Sequence, residues 1–286
     1  MSGSADATLA DRVGAAAAEP AARTRRPIPR AVGVNAGRIA IVGAFLALWQ
    51  YASGRWVTEF FVSKPSAIGA ALWEWVADGS LFYHAGITAT EAFAGFAIGG
   101  LAGIACGVLL GRFRLLADLL EPVIMSFYSL PKVALAPLFV LWLGIGIEMK
   151  ITLTAAVVFF LVFLNTYTGV KNVSRELVTI LRLMGASEWH VLTKVVLPSA
   201  VAWVFAGLRI SVPYALIGAI VGELIASNRG LGFLLSSSAG QFQTAGVFAA
   251  LLATMALAGV LNIVVHLAEA RLMPWKKVET DREVTV

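Results

Sequence analysis

Residues 174–198, SRELVTILRLMGASEWHVLTKVVLP, form the longest polar interruption in an otherwise apolar chain. The first half has an apolar stripe at helical spacing, made of Leu177, Ile180, Leu181 and Met184. Ser174 is placed to cap that helix, Gly185 to end it in a left-handed turn, and Ser187 to cap a second helix. The stretch therefore predicts helix, turn and helix, with a bend or a fresh helix start at Pro198.

Two interpretations of the 174–198 loop remain open from its spacing alone. The first is a surface-lying amphipathic connector between two apolar segments. The second is a docking element that sets its apolar face into a groove on a partner protein.

The composition restricts the class of protein. The chain has 286 residues, of which 59% are hydrophobic and 14% are charged, about half the charged fraction of ~25% that is usual in soluble domains. Charge-free runs occupy residues 92–111, 151–170 and 230–268. Because about 20 apolar residues cross a bilayer as a helix, and barrel strands would instead alternate, these runs predict an all-α multi-pass membrane protein.

Six membrane spans are predicted, at residues 39–57, 84–111, 116–143, 149–170, 195–226 and 243–271. We expect the first span to be retained and not cleaved as a signal, because no small-residue cleavage site follows it. Residues 59–80 predict an interfacial helix between the first two spans, with Trp73 and Trp75 at headgroup level.

The basic residues predict the orientation. With the N-terminus inside, 16 of the 22 Lys and Arg residues fall on the inner side and four on the outer side, namely Arg55, Lys64, Lys150 and Arg229. By the positive-inside rule both termini and the 174–198 loop are therefore expected in the cytoplasm. The net charge of +5 then reflects membrane orientation, so no nucleic-acid partner is expected.

Of the charged residues in or near the predicted spans, we single out Lys132, Arg209 and Glu223. Each costs a few kcal/mol there unless it is paired or hydrated, which makes all three candidates for a translocation pathway. Lys132 and Arg209 would make such a pathway cationic and suited to an anionic solute. For Glu223, a structural ion pair is an equally good interpretation.

Small residues and prolines predict how the spans pack. Span two has a glycine at every fourth position, at Gly95, Gly99, Gly103, Gly107 and Gly111. This column favours close packing on another helix of the same subunit over a pore-lining role. Span three has Pro131 and Pro137, and span five has Pro213, so both are expected to be bent or interrupted.

Several chemistries lack their motifs. The sequence has no G-x-x-x-x-G-K-[ST] and no Gly-Lys dipeptide, so we expect any ATP to be bound by a separate subunit. Cys106 is the single cysteine and the three histidines are dispersed, so neither a cofactor nor a metal site is expected. A polytopic enzyme would need a convergent catalytic set, which the residues do not offer.

A set of short motifs resembles the permease subunits of ABC importers. Gly185 followed by Leu197-Pro198 resembles their EAA loop, and the wider pattern resembles the branch that imports nitrate, sulfonates and taurine. The match runs from Pro65 to Trp275 and includes Leu130-Pro131-Lys132, Leu135-Ala136-Pro137-Leu138, Trp142, Gly144-Ile145-Gly146, Asn165-Thr166-Tyr167, Gly185-Ala186-Ser187, Trp189, Gly207-Leu208-Arg209-Ile210 and Gly230-Leu231-Gly232. Thr179, Ile180 and Leu181 occupy the Glu-Ala-Ala positions, so the glutamate contact of that loop is not carried over.

This resemblance implies a six-helix bundle of the type I importer fold and a division of the chain. The expected parts are a disordered cytoplasmic tail (1–36), a first span with the interfacial helix (37–83), the permease core (84–272) and a cytoplasmic C-terminal tail (273–286). The residues expected to couple the 174–198 loop to the ATPase are Leu177, Leu181, Gly185, Ala186, Ser187, Leu197 and Pro198.

The implied assembly contains a second permease copy, two cytosolic ABC ATPases and a periplasmic or lipid-anchored substrate-binding protein, in the lipid of a bacterial inner membrane. The implied function is ATP-driven import of a small solute, such as a sulfonate, taurine or nitrate. The alternative is a secondary transporter or channel without an ATPase. That alternative predicts inverted repeats and intramembrane acidic residues, for which Glu223 is the main candidate.

Overall fold

The structure is a computed structural model that describes residues 30–273. It divides into two compact units at the boundary between Leu48 and Trp49. Helix α1 (Arg30–Ala52) crosses this boundary. Most of the predicted N-terminal tail and all but Met273 of the predicted C-terminal tail lie outside the described residues, but residues 30–36, expected in the tail, are helical.

Most of the described residues after α1 are helical, and no strand occurs between residues 30 and 273. The helices are α2 (Glu59–Val62), α3 (Pro65–Ala77), α4 (Ser80–Arg112), α5 (Arg114–Ser129), a 3₁₀ turn (Lys132–Leu135), α6 (Ala136–Leu143), α7 (Ile147–Lys171), α8 (Arg175–Leu183), α9 (Glu188–Val191), a π turn (Leu192–Val196), α10 (Leu197–Ala226), α11 (Leu231–Gly240) and α12 (Thr244–Leu272).

Four helical segments among the described residues are long and apolar enough to cross a membrane: α4, α7, the continuous segment Glu188–Ala226, and α12. The pair α5 and α6 makes a fifth candidate, bent by 82°. These results confirm an all-α membrane fold. Helix α1 is not among the candidates, so the count of six spans stays a prediction that the structure allows.

Helix α7 lies between α4 and α10. The glycine column of α4 faces α7, with Gly95 against Thr154 and Gly111 against Val170. The residue numbers rise together, so α4 and α7 run in the same direction. On the other side, Gly207 lies against Asn165 and Gly218 against Thr154, so α10 runs antiparallel.

The absence of a side chain on these glycines allows the backbones to meet. A Cβ on Gly103 would lie 2.8 Å from the carbonyl oxygen of Phe159, and one on Gly218 would lie 2.8 Å from Cα of Thr154. The side chains of Leu153 and Val158 on α7 are buried. The prediction that the glycine column packs within the subunit is therefore confirmed.

The predicted third span is interrupted, as its prolines indicate. Helix α5 ends at Ser129, and Leu130 takes the extended conformation expected before a proline, with ψ of 136°. Pro131 precedes the 3₁₀ turn, and Pro137 lies in the first turn of α6, where its missing N–H costs nothing. Pro213, in contrast, lies inside a continuous α10.

The fresh start expected at Pro198 occurs within a continuous helix: α10 begins at Leu197 with Pro198 in its first turn, and no non-helical residue separates it from the turns before it. Residues 188–226 form one continuous helical segment of 39 residues. The π turn of Leu192–Val196 immediately precedes α10. One widened turn accommodates both the missing N–H of Pro198 and its ring, so the helix continues without a break.

Two glycines of α4 allow a matched test of this packing. We expect Gly103→Ala to destabilise the protein by about 1–3 kcal/mol, because the new methyl group overpacks the contact with α7. Gly86→Ala, on the same helix, meets no atom within 4 Å and should be neutral or stabilising by up to about 1 kcal/mol. The midpoint of thermal unfolding in detergent measures both, and equal midpoints would contradict the packing argument.

Candidate functional site

The 174–198 loop has the local structure that its sequence predicts. The Ser174 hydroxyl accepts the Leu177 N–H at 3.3 Å and caps α8. Gly185 has a φ of +80°, which ends the first helix in a left-handed turn. The Ser187 hydroxyl accepts the His190 N–H at 3.4 Å and caps α9. Both caps and the turn are therefore confirmed.

The apolar side chains of the 174–198 loop face two directions. Leu181 and Ala186 pack against a buried cluster beneath the loop, formed by Val170, Val191, Val196 and Ala200. A second set points away from the chain and is exposed: Leu177, Ile180, Leu183, Met184 and Trp189. We call this second set the apolar patch. Of the residues expected to couple to the ATPase, Leu177 thus lies in the patch and Leu181 beneath it.

The other expected coupling residues lie at the turn and at the start of α10. Gly185, Ser187 and Pro198 are exposed, whereas Leu197 is half-buried. These residues are therefore not part of the apolar patch.

Glu188 ties the loop to the end of α4. Its carboxylate accepts hydrogen bonds from Arg182 Nε at 2.9 Å and Nη2 at 3.3 Å. It also forms an ion pair with Arg112, the last residue of α4. A carboxylate held by two guanidinium groups restrains the loop against the helix bundle. No spacing within the loop predicts the contact of Glu188 with Arg112.

Lys132 lies at the break between α5 and α6. Its ammonium approaches the Tyr128 carbonyl oxygen and lies 4.5 Å and 4.7 Å from the ring centroids of Tyr128 and Phe160. These contacts are of the cation–π kind. The side chain is half-buried in the single chain, and its pathway role stays a prediction.

Arg209 lies within α10 and forms an ion pair with Glu269 of α12. The Arg209 side chain is 43% exposed and that of Glu269 is 5% exposed. Much of the Arg209 charge is therefore matched within the subunit. Its pathway role also stays a prediction.

Glu223 holds the start of α11 at the end of the bundle where α7 begins, which we call the distal end. Its Oε1 accepts the Thr88 hydroxyl at 2.6 Å, and its Oε2 accepts the Gly232 N–H at 2.5 Å. Thr88 Oγ1 in turn accepts the Leu231 N–H at 2.8 Å. The start of α11 is thus capped by side chains from α4 and α10.

The Gly230-Leu231-Gly232 motif follows from this cap. His84 Nδ1 accepts the Gly230 N–H at 2.9 Å, so three consecutive N–H groups are bound. A Cβ on Gly230 would overlap the Glu223 carboxyl, and one on Gly232 would lie 2.7 Å from the Glu223 Cβ. Gly230 also has a φ of +103°, in the region that favours glycine. A pathway role for Glu223 therefore requires α11 to move away from it.

A buried ion pair lies beside this cap. Lys150 Nζ lies 3.0 Å from Glu91 Oε1, and the two side chains are 5% and 1% exposed. Lys150 also donates to the Ser227 hydroxyl at 2.8 Å. The sequence placed Lys150 in an outer loop and gave no role to Glu91. The pair joins positions 59 residues apart, and no periodicity signals it.

The apolar helices and the 174–198 loop are those of a helical membrane permease. The loop lies at one end, is capped at Ser174 and Ser187, and exposes the apolar patch. The chain belongs to the family described as the binding-protein-dependent transport system inner membrane component, whose profile matches residues 99–275. It is a transport component and not a catalytic enzyme. The resemblance to ABC importer permeases of the nitrate, sulfonate and taurine type is thereby confirmed.

Curated relatives cover most of the chain. The riboflavin transport system permease protein RibX of Chloroflexus aurantiacus is 32% identical over 76% of this chain and 81% of its own length. The putative aliphatic sulfonates transport permease protein SsuC of Escherichia coli is 31% identical, covering 84% of this chain and 92% of its own. The taurine transport system permease protein TauC of Escherichia coli is 30% identical, covering 88% and 92%.

Solved structures share the fold. A chain of the MetNI methionine ABC transporter in an inward-facing conformation has a TM-score of 0.57 and 17% identity, over 67% of this chain and 94% of that chain. A chain of an amino acid ABC transporter solved with histidines has a TM-score of 0.55 and 15% identity, over 70% and 97%. At this identity the likeness concerns the fold alone.

The cap on α11 can be tested with two threonines of α4. We expect Thr88→Val to lower stability by about 2–4 kcal/mol, because Glu223 Oε1 loses its donor and the buried Leu231 N–H loses its acceptor. Thr90→Val removes an exposed hydroxyl that bonds only the Gly86 carbonyl of its own helix and should change stability by less than about 1 kcal/mol. The midpoint of thermal unfolding is measured for both variants. If Thr88→Val were as stable as Thr90→Val, the stabilising role of the cap on α11 would be contradicted.

Proposed function

We propose that this chain moves a small solute across the membrane under the control of a separate ATPase that docks on the 174–198 loop. The observation that supports this proposal best is the exposed apolar patch on a polar, capped loop. Contiguous exposed apolar side chains are typical of interaction sites. A short helix with one exposed apolar face suits a hydrophobic groove on a partner.

In this proposal the 174–198 loop transmits motion from the ATPase to the helix bundle. The Glu188 ion pairs with Arg182 and Arg112 restrain it against α4. On the other side, the continuous segment Glu188–Ala226 joins it to α10. An ATPase that displaced the patch would therefore displace α10 as well, because Trp189 of the patch lies on this segment and Glu188 at its start is ion-paired with Arg182 of α8.

The full importer would contain two copies of this permease as a homodimer, two cytosolic ATPases and a substrate-binding protein on the opposite side. The family description, a binding-protein-dependent system in the inner membrane, supports the last partner. The distribution of Lys and Arg supports cytoplasmic termini. With no phosphate-binding loop motif in the sequence, ATP would be bound by the ATPase subunits, and this chain would need no cofactor.

The solute is proposed to be a small anion, such as a sulfonate, taurine or nitrate. The relatives named for aliphatic sulfonates and taurine agree with this class, whereas the riboflavin relative shows how widely the solute varies. Lys132 is the stronger of the two cationic candidates, because Arg209 is already paired with Glu269. A secondary transporter or channel would leave the apolar patch without a partner.

Gly185 tests the docking role. We expect Gly185→Val to leave membrane insertion intact and to abolish both ATPase co-purification and transport. A β-branched residue cannot readily adopt a φ of +80°. Since a Cβ there would meet no atom within 4 Å, the effect would come from the backbone and not from a clash.

Gly185→Asn is the matched control, because asparagine tolerates the left-handed region. It should retain most ATPase association. Normal co-purification of the ATPase with Gly185→Val would contradict the docking proposal.

Lys132 tests the solute class. We expect Lys132→Ala to reduce uptake of a sulfonate by about tenfold or more, because a desolvated charge contact with the anion is lost. Lys132→Arg keeps the charge and should retain most of the uptake. Both are measured in proteoliposomes with the ATPase and binding protein present. Unchanged uptake by correctly inserted Lys132→Ala would remove Lys132 from the pathway.

A further inference from the structure

The distal end contains a cavity of about 750 Å³ that lies within a single subunit. Its walls come from the first turns of α4 and α7, the turn before α7, and the connection between α10 and α11. This volume falls within the range of about 300–1,000 Å³ that is typical of small-molecule sites. The polar residues on its walls are Tyr83, Thr90, Glu91, Lys150, Ser227, Asn228 and Arg229.

Lys150 lines this cavity and has one N–H group without an acceptor among the described residues. Its ammonium has three N–H groups, and two are taken by Glu91 Oε1 and Ser227 Oγ. The side chain is only 5% exposed. A buried ammonium needs an acceptor for its third N–H, and the cavity is the open space that it lines.

Arg229 brings a second cation. It is exposed, and its guanidinium makes no hydrogen bond or ion pair with the residues between 34 and 273, although it lies near enough to Glu91 to interact through space. The Ser227 hydroxyl donates to the Arg229 carbonyl at 2.6 Å and accepts its N–H at 3.3 Å. These bonds fix the backbone of Arg229 at the edge of the cavity.

The walls have an excess of positive charge. Glu91 is the carboxylate among the lining residues, and its charge is matched by Lys150 at 3.0 Å. Its other oxygen, Oε2, has no donor among the described residues and lies beside the carboxyl of Glu223, behind the wall. Among the lining residues, Arg229 is therefore the cation without a hydrogen-bonded carboxylate, and because it is exposed it favours an anion over a cation at the edge of the cavity.

We propose that this cavity binds a small soluble oxyanion, with its sulfonate or carboxylate group between Arg229 and Lys150. The planar guanidinium can bind two oxygens of such a group, and the third N–H of Lys150 can bind one more. This inference rests on the proposed import of an anionic solute, and it adds a solute site to each subunit, away from Lys132. The orientation predicted from the basic residues puts the site on the side from which the solute arrives.

The test uses the full permease–ATPase complex in phosphatidylcholine nanodiscs, without binding protein, and radiolabelled butanesulfonate as the probe. We expect saturable binding that Arg229→Gln weakens by at least tenfold. Arg229→Lys should recover part of the affinity. Butyltrimethylammonium, a cation of similar size, should not compete.

Arg55→Gln is the matched control. It removes the same charge from the chain, but the Arg55 guanidinium lies 4.1 Å from the Tyr51 ring centroid and does not line the cavity. Its affinity should stay within twofold of the wild type. Equal weakening by Arg55→Gln and Arg229→Gln would indicate a general charge effect and would overturn the site.

A double variant tests the buried cation. Lys150→Met with Glu91→Gln removes both members of the ion pair, so that neither charge is left buried alone. We expect it to lose saturable binding while it still assembles with the ATPase. Retained binding in this variant would overturn the assignment.

Three further outcomes separate this inference from its alternatives. If phosphatidylglycerol in the nanodiscs abolished butanesulfonate binding, the site would belong to a lipid headgroup and the inference would be overturned. If the reconstituted importer moved only uncharged solutes, yet butanesulfonate binding still depended on Arg229, the proposed solute class would fail and the anion site would stand. If Arg229→Gln left the KM for anion uptake unchanged, the anion site would be contradicted and the proposed function would stand.

Discussion

The close contact of α7 with the glycine faces of α4 and α10 is the constraint on which the rest of the structure depends. Glycines of α4 meet the backbone of α7 from one side, and Gly218 and Gly222 of α10 meet it from the other. In a bilayer, where burial from water does not drive helices together, such backbone approach allows the van der Waals packing that helps to hold helices together. It also sets the depth of each helix relative to its neighbours, because a slip of one residue would put a side chain where a glycine is needed.

The charged groups at the two ends of the bundle come together as a consequence of this alignment. At the distal end, Gly222 lies against Lys150, and the fixed register of α4 and α7 brings Glu91 within 3.0 Å of the same ammonium. At the other end, α4 finishes at Arg112, which meets Glu188 of the 174–198 loop. The buried Lys150–Glu91 pair, whose charges would each be costly alone in a membrane, is thus held in place by apolar packing along α4, α7 and α10.

The features that the sequence predicted well depend on local chemistry. The caps at Ser174 and Ser187, the turn at Gly185 and the break at Pro131 need only neighbouring residues. The missed features depend on partners far along the chain. Helix α11 is short, and its start is held by His84, Thr88 and Glu223 from other helices. The inward turn of Leu181 likewise depends on Val170 and Val191, which no spacing within the loop reveals.

The π turn before Pro198 has a mechanical consequence. Had the proline broken the helix, as its sequence position suggested, the 174–198 loop and the distal end would be separate bodies joined by a hinge. Instead, one segment of 39 residues joins them, roughly 55–60 Å at the rise of a helix. The first residue of this segment, Glu188, forms an ion pair with Arg112 of α4. Near its other end, Glu223 accepts the Gly232 N–H and so holds the start of α11. A displacement of Glu188 therefore reaches the α11 cap along one helical segment, which includes the π turn of Leu192–Val196 but no non-helical residue.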